Sequence, residues 1–215
     1  MIPLKDDNPR SVLPFVTIGL IVINAIVFYY EIKLGYDFFF ENYALVSVKL
    51  LQGEQLWSVM TSMFLHGSFI HLAGNMLYLW IFGDNIENYL GHTKFVFFYL
   101  LCGVLAVFAH IFFEGSSSVP MVGASGAISG ILGAYLLKYP KAKVLVLIPI
   151  IWFLAFRKIP ALVVLGFWFV MQLYSGFATI GNSGSGVAIW AHVGGFVAGF
   201  VLINLFPQKR YVLPN

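Results

Sequence analysis

Six apolar stretches, roughly residues 14–32, 69–86, 94–113, 121–138, 159–178 and 187–206, leave this chain few ways to fold. Each is close to the ~20 residues a helix needs to cross the hydrocarbon core of a bilayer. Backbone polar groups in lipid must be satisfied internally, which favours spanning helices over open sheets. The expected fold is therefore all-α, a polytopic bundle of six transmembrane helices. A soluble domain carries roughly a quarter charged residues, whereas only 10% of this chain is charged and 60% is hydrophobic. Most of its surface must face something other than water, so membrane lipid is an expected partner and nucleic acid is not.

A seventh apolar run, Val144 to Phe156, is only thirteen residues long and contains Pro149. It reads as an interfacial or buried connection. Six spans put both termini on one side, together with Lys5, Arg10, Lys94, Lys138, Lys141, Lys143, Arg157, Lys158, Lys209 and Arg210. The opposite side keeps only Lys33 and Lys49. That asymmetry makes the shared side cytoplasmic. The expected organisation is a short cytoplasmic N-terminus (1–13), one membrane domain (14–206) and a cytoplasmic tail (207–215), in a cell (inner) membrane. The first apolar run has no small-residue cleavage site after it, so no cleavable leader is expected. Cys102, the lone cysteine, excludes an intramolecular disulfide.

The loops differ in character. Residues 35–65 mix Phe38, Phe39, Phe40, Tyr43 and Trp57 with polar groups, as interfacial segments do. Gly181 to Gly186 is Gly/Ser-rich and is expected to form a mobile cap beside the last span.

Polar side chains inside spans are costly, and each is a site hypothesis by default. The alternating span directions put His71 and Asn75, Ser125, and His192 in the outer halves of spans two, four and six. His71 and Asn75 are four residues apart and share a helix face. Gly123-Ala124-Ser125-Gly126 frames the serine with small residues. Gly126 and Gly130, and Ala191, Gly195 and Gly199, form small-residue faces that allow two helices to meet backbone to backbone. A histidine base activates a serine hydroxyl, and preorganised donors stabilise an oxyanion. The bland alternatives are a packing serine at Ser125 and an interhelical hydrogen bond for His71 and Asn75. Asn24 and Gln172 read as bonds to neighbouring helices, His66 as a structural residue of the first loop, and Trp168 and Phe169 as packing, lipid-facing or gate residues. No cofactor or metal is expected, since no convincing ligand set is present.

The chain resembles the rhomboid intramembrane proteases over nearly its whole length. The resemblance rests on the six-span layout, His66-x4-His71-x3-Asn75, Gly123-x-Ser125-Gly126 and Ala191-His192-x2-Gly195-x3-Gly199, with Gly83, Glu87 and Gly91 also spaced as in the family. It implies a serine endopeptidase that cuts transmembrane segments of membrane proteins near the outer face. Ser125 would be the nucleophile and His192 the general base and acid. His71, Asn75 and the Ser125 backbone N–H would form the oxyanion hole. Two positions depart from the common pattern: Ser58 follows Trp57 where many members have arginine, and Ser129 replaces an aromatic that supports the catalytic histidine. A hydrogen bond to Ser129 is one replacement support for His192. The alternative is a catalytically inactive relative that binds membrane clients. A transporter would need a continuous polar path, and the inner half of these spans reads as apolar.

Overall fold

The computed structural model describes residues 1–150, 153–178 and 188–209. Strand β1 (Ile2–Asp6) precedes the long helix α1 (Phe15–Leu34). The first connection holds three short helices, α2 (Tyr36–Tyr43), α3 (Ser47–Leu51) and α4 (Ser58–Thr61), and a 3-10 turn at Ser62–Phe64. Helix α5 (Phe69–Tyr78) passes through a π turn (Leu79–Gly83) into α6 (Asp84–Leu90) without a break. Then follow α7 (His92–Glu114), α8 (Ser125–Lys138), strands β2 (Lys143–Ile150) and β3 (Phe153–Pro160), α9 (Ala161–Ala178) and α10 (Ile189–Leu202).

Among the described residues, α1, α7 and α9 are each long and apolar enough to cross a membrane. Their outward faces carry exposed Ile23, Phe108, Phe112, Phe167 and Tyr174, which is the surface a bilayer would cover. The mostly helical expectation holds, but the chain is not all-α. Strands β1, β2 and β3 form an antiparallel sheet in that order, with Ile2 opposite Leu147 and Val144 opposite Ile159. The described residues of the apolar run 144–156 thus lie in the paired strands β2 and β3, and Ile2–Asp6 is the third strand of their sheet. Val144 and Val146, on one face of β2, are fully buried in the core. That burial accounts for an apolar run too short to span.

The N-terminal strand and the residues after it are tied to α6 and α8 by polar contacts. Asp6 accepts hydrogen bonds from the Tyr135 hydroxyl and from Asn85 Nδ2, and burial pushes its pKa up. Arg10 pairs with Asp84 at 2.9 Å. Glu87, fully buried, accepts from the backbone N–H groups of Val16 and Thr17 and from the Thr17 hydroxyl. It therefore satisfies orphan donors at the positive end of α1. This end of the bundle is more polar than the apolar stretches suggested. Gly91, at φ 77°, makes the tight turn from α6 into α7.

The α8–α10 contact decides where the site lies. A Cβ on Gly195 would overlap the Gly126 carbonyl oxygen, and one on Gly199 would overlap that of Gly130. A Cβ on Gly133 would likewise strike the Phe196 carbonyl. The small-residue faces read from the sequence do meet. Helices in lipid gain little from burying apolar area against each other, so this backbone packing is a principal source of their association.

Candidate active site

Ser125 is the first residue of α8. Its backbone N–H lies in the helix's first turn, where N–H groups have no intrahelical partner and the helix dipole is positive. The chain reaches it through Gly123, at φ 125°. Any side chain at 123 would be strained, and its Cβ would come within 2.8 Å of the His71 Cε1 and Nε2 atoms. Glycine thus brings the backbone just before Ser125 against the His71 ring. The Gly123 N–H donates to the Ser62 carbonyl at 2.9 Å, and Leu45 and Met121 exchange both backbone hydrogen bonds. Ser47 and Ser117 add a further pair between the same loops. The first long connection therefore holds the approach to Ser125 in place.

The close α8–α10 packing carries His192 to that serine. The Ser125 Oγ lies 2.8 Å from His192 Nε2, within hydrogen-bond reach. On the other side of the ring, His192 Nδ1 lies 2.9 Å from Gln172 Oε1 on α9, and the Trp168 ring centroid is 6.1 Å away. Ser129 does not support the histidine. Its hydroxyl donates to the Ser125 carbonyl at 2.7 Å, within α8. A serine one turn into a helix finds the carbonyl four residues back more readily than a ring on another helix. Gln172 does bond to a neighbouring helix, as read from the sequence, but its partner there is His192.

His71 and Asn75, one turn apart on α5, line the same cavity of about 270 Å³ as Ser125, Gly123 and His192. Ser68 caps α5 by accepting from the His71 N–H. Asn75 Nδ2 lies 2.9 Å from His66 Nε2. His66 is fully buried, and its own backbone N–H donates to the buried Glu31 carboxylate of α1. Burial, with His71 alongside, pushes the His66 pKa down to about 4. The ring is therefore neutral near pH 7, and its Nε2 lone pair accepts from the Asn75 amide. His66 thus buttresses Asn75 as well as the first loop, which its position before the span did not reveal.

Among the described residues, no group of three or more His, Cys, Asp or Glu side chains could hold a metal ion. The expected cap at Gly181–Gly186 lies outside the described residues.

The Rhomboid domain family matches residues 53–209. The chain is 31% identical to RHOMBOID-like protein 5 of Arabidopsis thaliana over 171 residues, which is 78% of this chain and 50% of that protein. It is 34% identical over 151 residues to Rhomboid protease GluP of Bacillus subtilis (strain 168), covering 70% of this chain and 26% of that protein. A third relative, Presenilin-associated rhomboid-like protein A, mitochondrial, of Danio rerio, is 40% identical over 107 residues, 48% of this chain and 28% of its own length. The chain belongs to the rhomboid family of integral membrane proteins. It spans half or less of the length of these relatives.

Proposed function

We propose that this protein is an intramembrane serine endopeptidase, with Ser125 as nucleophile and His192 as general base and then acid. The observation that carries the reading is the 2.8 Å contact between Ser125 Oγ and His192 Nε2. In this reading residues 14–206 form a six-span domain with both termini cytoplasmic, in a cell (inner) membrane. The substrates are transmembrane segments of other proteins, cut near the outer face.

The geometry supports a short sequence of steps. Ser125 Oγ attacks the scissile carbonyl while its proton passes to His192 Nε2. The carbonyl oxygen becomes an oxyanion, for which His71, Asn75 Nδ2 and the Ser125 backbone N–H are the donors. Collapse of the tetrahedral species expels the amine, which takes the proton from His192 and leaves an acyl-Ser125 ester. Water, deprotonated by the same imidazole, hydrolyses that ester and returns the serine proton. No cofactor enters.

The test uses the purified full chain in detergent, a model transmembrane substrate and a fluorophosphonate probe. Parent protein is expected to cleave and to be labelled. Ser125→Ala and His192→Ala are expected to lose both by several orders of magnitude, with unfolding temperatures near the parent's. A parent that binds the substrate yet neither cuts it nor takes the label would instead make this an inactive, client-binding relative.

A further inference from the structure

We propose that Gln172 is a positioning residue of this site: its amide oxygen accepts the Nδ1 proton of His192 and fixes the imidazole with Nε2 toward Ser125. The inference rests on the protease reading above and adds a third member to the Ser–His pair.

A neutral imidazole carries one proton, on either nitrogen. Only the ring protonated at Nδ1 can accept the serine proton at Nε2. In water both tautomers are available, so a base that works must be held in one of them, and the partner of the distal nitrogen decides which. Here that partner is Gln172 Oε1, at 2.9 Å. The hydrogen bonds then run one way, from Ser125 O–H to Nε2 and from Nδ1–H to the Gln172 oxygen. Ser129 is committed to the Ser125 carbonyl. Trp168 gives the imidazole a ring contact at 6.1 Å, but an indole offers no acceptor for an N–H in the ring plane.

The position of Gln172 is itself held. Three residues before it, Phe169 stacks on Phe196 with centroids 4.4 Å apart. Four residues after it, Gly176 lies against Trp190, where a Cβ would come within 3.1 Å of the indole. The α9–α10 register is thus locked on both sides of the 172–192 pair. Long flexible side chains lose entropy when ordered, and this packing supplies the order in advance. An amide also orients the ring without burying a permanent negative charge, whose desolvation in such surroundings is costly.

The experiment compares Gln172→Met and Gln172→Glu in the full chain. Methionine keeps the length and loses the acceptor, whereas glutamate keeps an acceptor oxygen. Measured are fluorophosphonate labelling rate, kcat and KM, unfolding temperature, and the 15N resonances of His192 in 15N-histidine-labelled protein. Loss of the partner that orients a metal-bound histidine typically costs about 10–100-fold, and a loss of that order is expected for an orienting partner here. We expect that loss in kcat and in labelling for Gln172→Met, with KM and unfolding temperature little changed. Its His192 signals should move from the Nδ1–H pattern toward a mixture of tautomers. Gln172→Glu should recover most of the loss in labelling and kcat in the folded protein, with a lowered unfolding temperature from its buried charge. Parent-like labelling, turnover and 15N signals in Gln172→Met would overturn the proposal. So would equal impairment of both variants with a lowered unfolding temperature, which is the mark of packing alone. A parent without labelling or cleavage sinks the protease reading instead, and the 15N tautomer then decides the role of Gln172 by itself.

Discussion

The carbonyl oxygen of Gly126 occupies the place where a Cβ on Gly195 would sit. Ser125 and His192 are sequence neighbours of this contact, one residue before Gly126 and three before Gly195. Their spacing is therefore inherited from a backbone-to-backbone approach. Gly195→Val should push α8 and α10 apart. Overpacking of this kind costs about 1–3 kcal/mol or more, so the unfolding temperature should fall and fluorophosphonate labelling should be lost. Gly166→Ala on α9, where nothing lies within 4 Å of the new Cβ, should leave both near the parent's values. Labelling preserved in Gly195→Val would mean that side chains, not the backbone contact, set the distance.

Asn75→Ala and His71→Ala test the proposed oxyanion donors. Removing one donor typically lowers kcat by about 10²–10³. The lower end is expected here, because the other side chain and the backbone N–H remain. KM should change less, since the interaction strengthens in the transition state. An interhelical hydrogen bond in a membrane bundle is worth only about 0.6 kcal/mol. Variants with reduced unfolding temperature and parent-like turnover would reassign both residues to packing.

His66 gives the fold a pH dependence with a definite sign. Its folded pKa is about 4, against about 6.5 in the unfolded chain. Between those values the unfolded state binds more protons, so stability rises with pH there. The contribution is fully present at neutral pH, amounts to about 3 kcal/mol at most, and is lost as pH falls from 6.5 toward 4. Unfolding temperature measured against pH should be flatter over that window in His66→Asn than in the parent. Identical slopes would refute the assignment.

Glu87→Ala should destabilise the protein without altering the site. The carboxylate accepts from two backbone N–H groups at the start of α1, and leaving a buried donor unsatisfied costs about 1–3 kcal/mol. The fraction that remains folded should keep parent kcat. A selective fall in kcat at constant unfolding temperature would contradict a purely structural role.

Local spacing made the candidate site readable. His71 and Asn75 share a face by the period of one helix, and the glycines near Ser125 and His192 announce which faces can approach. Gln172 was not readable in that way. A single glutamine in an apolar span has no spacing partner, and its contact with His192 arises from the register of α9 on α10. His66 was assigned to the first loop because the sequence places it before α5; its contact with Asn75 needs the turn at Gly67 and Ser68. The sheet was missed for a different reason. The run Val144–Phe156 is apolar on both faces and lacks the alternation that marks a half-buried strand. Its pairing with Ile2–Asp6 joins segments far apart in sequence. Ser58, one of the two positions that departed from the resemblance, is buried at the start of α4, and the structure gives no account of that departure.

The sheet also imposes an order of events on synthesis. Ile2 lies opposite Leu147, so β1 leaves the ribosome well before its pairing strand exists. At roughly 5–20 residues per second, that delay is on the order of ten seconds. Throughout it β1 has no ladder partner, and the contacts of Asp6 with Asn85 and Tyr135 assemble only as those residues emerge in turn. Arg10 and Asn8, whose partners Asp84 and Asn85 lie on α6, can dock first. The N-terminal segment is then held against α6, so that completing the hairpin adds strands to a nearby edge instead of capturing a distant one.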